Sequence, residues 1–289
     1  MDSELVLAGN SGDIEVIRQL APEATREELN RALARAACMS HLEAADELLK
    51  HGADVNGLYS NEYGPVIFAA CEFNNPEGID YLLKNGAEVA DDFAGKTPME
   101  MVTHSYVRSE NKYRCINLLI KAGATFDDDP LMAIHKGNLV LLREHLSSDS
   151  ELLEKRYDEL NFGIFPLRGG TLLHLAVETH ESELTLELMN QGANIDAPSS
   201  HFQIPVPVWP TNLELLGRHT PIFHAWQNNY DLLEILLDRG ADPQIPAAFL
   251  RDGDHVELTP FQFFMAVDDI EGNLERELAL LAEYGGATE

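Results

Sequence analysis

Apolar positions recur along this chain in a short stripe that ends on glycine. In "LLEILLDRG" Leu233, Leu236 and Leu237 stand seven, four and three places before Gly240. Ile79, Leu82 and Leu83 hold the same places before Gly86, and Ile116, Leu119 and Ile120 before Gly123. That spacing puts three side chains on one helical face. The glycine then supplies a left-handed residue that stops the helix. "LTLELMNQ" before Gly192 follows the same plan. The corners themselves repeat: "HGADVN" (51–56), "NGAEVA" (85–90), "AGATFD" (122–127), "QGANID" (191–196) and "RGADPQ" (239–244), with "YGGATE" (284–289) a weaker copy. Their glycines at 52, 86, 123, 192, 240 and 285 leave gaps of 34, 37, 69, 48 and 45. The longest gap reads as two units with one glycine lost.

A second phrase follows most corners: "GPVIFAA" (64–70), "KTPMEMV" (96–102), "TLLHLAV" (171–177), "TPIFHAW" (220–226) and "TPFQFFM" (259–265). Threonine caps a helix and proline suits its first position. Each unit is therefore a turn, a short helix, a longer helix and a glycine stop. This pattern resembles the ankyrin-repeat family, whose period is about 33 residues and whose signature is T-P-L-H-x-A. "LVLAGNSGDIEVIRQLAPEA" looks like a degenerate capping repeat, the unit from Thr25 lacks the T-P start, and "DPLMAIHKGNLVLLREHL" lacks the closing Gly-Ala.

The resemblance implies an all-α solenoid of about eight helix-pair repeats, with capping terminal repeats and two longer inter-repeat loops. One domain, 1–289, would hold units near 3–24, 25–60, 61–93, 94–128, 129–168, 169–200, 218–248 and 257–287. It also implies a non-enzymatic scaffold that grips another protein through the concave groove and the loops. The side chains flanking the small pair of each first helix are the expected groove set: Phe68, Glu72, Met101, His104, His135, Lys136, Glu178, Thr179, His224, Gln227 and Asn228. From the loops come Tyr59, Tyr63, Phe93, Phe165, Phe202 and Trp209. The insert at 197–219 is the more unusual loop. Ile204, Val206 and Val208 alternate with Pro205 and Pro207, so its backbone reads as extended and poor at accepting a neighbouring strand.

His174 and Glu178, one helical turn apart, have the look of an acid/base pair. His174 stands where the family signature places histidine, and that resemblance implies a bond within the turn that ties neighbouring repeats. In other units the same slot holds Ile67, Glu100, Phe223 and Gln262, a mixture that fits packing and turn closure. No HExxH, G-x-S-x-G or GxxxxGK[ST] motif occurs, so no catalytic residue, metal or cofactor is expected. An enzyme centred on His174, Glu178, His201 and His224 finds no support in their spacing.

Charge narrows the partners. The chain carries 49 acidic residues against 20 basic, a formal charge of −29. Such a field repels phosphate backbones and disfavours direct nucleic-acid binding. It also motivates a narrower alternative, an acidic inhibitor or immunity-type protein that neutralises a basic target. "MDSELVLAGNSGD" has no basic region leading into an apolar core, and no apolar run reaches the roughly 18 residues of a membrane span. A monomeric cytoplasmic protein is expected. Cys38, Cys71 and Cys115 form no CxxC pair and read as free thiols, with Cys38 and Cys71 near the groove.

Overall fold

In the computed structural model, residues 2–60, 64–89, 93–105, 111–160, 165–209, 211–226 and 229–285 are described, with backbone alone at 159 and 269–271. The chain packs as two compact units, 1–127 and 128–289.

The first unit holds α1 (Glu4–Ser11), α2 (Ile14–Leu20), α3 (Arg26–Cys38) and α4 (Leu42–Lys50). A short β1 (Leu58–Ser60) and β2 (Gly64–Pro65) follow, then α5 (Val66–Glu72), α6 (Pro76–Lys84), α7 (Pro98–Thr103) and α8 (Lys112–Lys121). Each odd-numbered helix packs on the even one after it, and α1, α3, α5 and α7 stack in chain order. The stripe seen in the sequence faces this stack: Ala45 and Leu48, Ile79 and Leu82, and Ile116 and Leu119 are all fully buried. Alanine and cysteine fill the space between helices, and Cys38, Cys71 and Cys115 are free and buried. Burial pushes the Cys115 thiol up to about 12 and that of Cys71 well above its ordinary value, so both are inert sulfur in a core.

The second unit begins with α9 (Pro130–His135) and α10 (Leu139–Ser148), then β3 (Tyr157–Glu159), β4 (Arg168–Gly170), α11 (Leu172–Glu178) and α12 (Ser182–Asn190). The insert forms β5 (His201–Val208) and β6 (Leu213–Gly217). After a single 3-10 turn, Pro221–His224, come α13 (Tyr230–Asp238), β7 (Ala247–Arg251), β8 (Asp254–Leu258), α14 (Pro260–Glu271) and α15 (Glu275–Glu283). Before Gly192 the deepest stripe position holds Thr185, fully buried although polar.

The corner glycines at 52, 86, 123, 192, 240 and 285 all have φ between 89° and 97°. No neighbour crowds a Cβ at any of them. It is therefore the left-handed backbone, not lack of room, that favours glycine there.

Two corrections to the all-helical expectation follow. "TPIFHAW" makes one 3-10 turn where a first helix was expected. The two long inserts contain strands, β3 pairing with β4 and β5 with β6, and a later hairpin, β7 and β8, joins the second pair in one antiparallel sheet of order β5-β6-β7-β8. The alternating Ile204, Val206 and Val208 favour extended backbone strongly enough for β5 to form beside two prolines. The prolines still dictate its place, because β5 pairs only with β6 and lies at the sheet edge. Across the sheet, Val206, Leu215, Phe249 and Val256 stand in one row facing the core. The next row, Pro207, Glu214, Leu250 and His255, faces outward. Asp252 and Gly253, both at positive φ, close the β7–β8 hairpin as a two-residue turn.

Candidate functional site

The first-helix residues expected to line a groove divide by depth. Phe68, Met101, His135, Glu178 and His224 are buried. Glu72, His104, Lys136 and Thr179 are half-buried and retain surface to offer a partner. Lys136 reaches Asp128 at 3.2 Å, and burial raises the Glu72 carboxyl. Gln227, Asn228 and Tyr63 lie outside the described residues. The reason for the division is geometric. The small pair, such as Ala69 and Ala70, lets adjacent helices approach so closely that the larger side chain beside it is covered as well.

Among the loop residues Tyr59 and Phe93 are half-buried. Phe165 and Phe202 are buried, which corrects the expectation that they project from their loops: neither can reach a partner without leaving the core. Phe165 sits edge-on to His219 and His224 at 5.1 and 4.9 Å and lies 4.9 Å from Phe263. Phe202 receives the Arg168 guanidinium over its ring at 5.6 Å. Trp209 is 65% exposed at the end of β5. Ile204, on the same strand, is 75% exposed and was not among the expected contact residues. Alternation would have placed it with Val206 and Val208 on the core side, but the register of β5 is irregular between His201 and Val206, and Ile204 there faces outward.

The charged groups at the free end of this sheet are Glu214, Arg251, Asp252 and Asp254, all exposed. Asn212 holds Asp252 at 3.1 Å, tying the tip of one hairpin to the tip of the other. Further along, Arg218 pairs with Glu257 at 3.1 Å.

Beneath the sheet lies a buried polar cluster that spacing alone did not reveal. His174 Nδ1 accepts the Thr171 backbone N–H at 3.0 Å. Its Nε2 therefore carries the proton and donates to the carbonyl of His219 at 3.1 Å. Glu100 and Gln262 occupy the corresponding slot and likewise accept the N–H of their capping threonines, at 2.7 and 3.0 Å. The slot is a capping-box position, and histidine is the version whose ring reaches onward to a second segment. His219 Nδ1 lies 2.8 Å from Ser199 Oγ, and His224 Nδ1 lies 2.7 Å from Glu178 Oε2. The rings of His174, His219 and His224 stand 5.0 to 5.8 Å apart, centre to centre. Burial, reinforced by charge on His224, pushes His174 down to about 3 and His219 well below its ordinary value.

Serine, histidine and carboxylate thus meet here, but as two separate pairs, Ser199 with His219 and Glu178 with His224. All five side chains named, His174 included, are buried. Among the described residues no group of three or more histidine, cysteine, aspartate or glutamate side chains is placed to hold a metal ion. No helix among them is long and apolar enough to cross a membrane.

No family model matches this chain. No curated protein matches it either. Among solved structures it is similar to the crystal structure of the human ASB11 ankyrin repeat domain, with 19% identity, 90% of each chain covered and a TM-score of 0.39.

Proposed function

We propose that this chain is a non-enzymatic ankyrin-repeat scaffold, built of about eight helix-pair repeats, that binds another protein. The observation that carries this reading is the finger made by β5 and β6. It exposes Ile204 within β5 and Trp209 just past its end, two large apolar side chains, while Val206 and Val208 of the same strand pack into the core. Exposed apolar groups held by a rigid sheet are what a binding surface requires. The half-buried Glu72 and His104 belong to the proposed surface of the first unit and the half-buried Lys136 and Thr179 to that of the second, with Tyr63, Gln227 and Asn228 retained as contact residues from the sequence alone. The partner is a protein rather than a nucleic acid, because −29 repels phosphates. The test is affinity capture with the wild-type chain and with Trp209→Ala/Ile204→Ala. Loss of the captured partner with unchanged circular dichroism supports the finger. Equal capture by both chains refutes it.

The charge also favours a second reading, an acidic inhibitor or immunity-type protein for a basic target. Binding of that kind weakens steeply between about 50 and 200 mM salt as exposed charges are screened. Capture that is insensitive to salt would count against it.

A further inference from the structure

The buried histidines do more than satisfy one another, because they close the base of the finger. The insert enters at Ser199 and leaves at His219. Ser199 N–H donates to the His219 carbonyl at 2.8 Å, and Ser199 Oγ meets His219 Nδ1 at 2.8 Å. The same carbonyl accepts His174 Nε2–H, so α11 grips the exit of the hairpin, while Ser200 N–H donates to Gly169 O at 3.0 Å beside its entry. At Gly217 a Cβ would come within 2.1 Å of Ser200 O, so the two ends of the hairpin are pressed together.

These bonds fit neutral rings. A second proton on His174 would have to sit on Nδ1, where the Thr171 N–H already points, setting donor against donor. His219 Nε2 is buried with no hydrogen-bond partner among the described residues, so a charged His219 would carry an unsatisfied N–H. Among the described groups facing the cluster, Glu178 comes from α11 and is engaged with His224. Arg156, ahead of β3, adds positive charge towards His174. Ser199 and Thr171 are neutral, and Phe165 and Phe202 wall the site with rings. Among the described residues the cluster thus holds one hydrogen-bonded carboxylate, Glu178, and it is paired with His224.

We propose that His174 and His219 form an acid-released clamp: protonation below about pH 6 opens the base of the β5–β6 hairpin, residues 199–219, while residues 1–127 stay folded. The low protonation ranges of His174 and His219 agree with this, since both are held neutral only while the clamp is shut. Each such ring makes opening about tenfold easier per pH unit below 6.5, and two make it about a hundredfold easier. The clamp does not depend on what the finger binds.

Hydrogen exchange on the full chain between pH 7.5 and 5.0, corrected for the intrinsic rate, tests it. Opening of 199–219 should rise between about ten- and a hundredfold per unit below pH 6.5, with α3 to α5 unchanged. His219→Gln, which keeps a partner for Ser199 but cannot titrate, should remove about tenfold per unit of that dependence. Opening that is independent of pH, or that rises equally in both units, overturns the proposal. If His219→Gln does not fold, the wild-type ring resonances decide. His174 and His219 should not titrate between pH 7.5 and 5.5 while the hairpin is protected, and an ordinary midpoint near 6.5 in the protected state overturns the clamp.

Discussion

The two units use the same corner and the same helical stripe, yet their interiors differ in kind. The first is packed chiefly with alanine, leucine, isoleucine and cysteine. The second has to seat a four-stranded sheet and does so with aromatics: Phe165, Phe223, Phe249 and Phe263 meet at ring separations of 4.9 to 6.4 Å. Buried histidines fill the polar gap between that sheet and α11. The comparison teaches that an insert in a repeat protein needs an apolar foundation of its own and hydrogen bonds for its two ends. Both tryptophans, Trp209 and Trp226, lie in the second unit, so fluorescence reports that unit alone while circular dichroism reports both.

The largest expected effect is that of Phe263→Ala. It empties the centre of the aromatic layer and should cost the second unit about 4 kcal/mol. In urea the fluorescence transition should move to lower denaturant, leaving a separate dichroism transition from the first unit in place. A single transition that shifts as a whole would show that the units do not differ in stability as their cores do.

Acid comes next. A histidine held below its ordinary 6.5 binds fewer protons folded than unfolded, so its contribution is complete above pH 6.5 and is lost as pH falls towards about 3. At pH 5.5 His174 and His219 together should cost the second unit about 3 kcal/mol, seen as earlier loss of the fluorescence transition. In the first unit burial raises the Glu72 carboxyl, which has the opposite sign and strengthens the fold slightly as pH drops. Equal acid sensitivity of both transitions would erase the contrast.

Gly78→Ala probes the first unit instead. The added Cβ would fall 2.2 Å from the carbonyl oxygen of Ala37, so α3 and α6 must part, at about 2 kcal/mol. Dichroism should register the loss with the fluorescence transition unmoved. Smallest is Trp209→Ala: an exposed side chain at a hairpin end should change stability by less than about 0.5 kcal/mol. A larger loss would mean that Trp209 is part of the fold and not of a surface.

Much of this molecule is written locally. The stripe before Gly86 or Gly240 and the left-handed corner after it depend on residues within one turn of each other, so the helices and their buried faces follow from the chain itself. The role of the His174 slot is legible for the same reason, since a capping box spans three residues. What only the tertiary structure decided involves partners far apart in the chain. Leu213 on β6 pairs with Arg251 on β7 across the whole of α13, and no period in the sequence registers that contact. Phe202 and Trp209 belong to one insert and are both large and aromatic, yet one is core and the other surface. Which way each turns depends on the pleat of a sheet whose second hairpin comes some forty residues later. The meeting of His174 with His219, and of Glu178 with His224, is of the same kind, because a buried polar group is satisfied by whatever folding brings within about 3 Å of it.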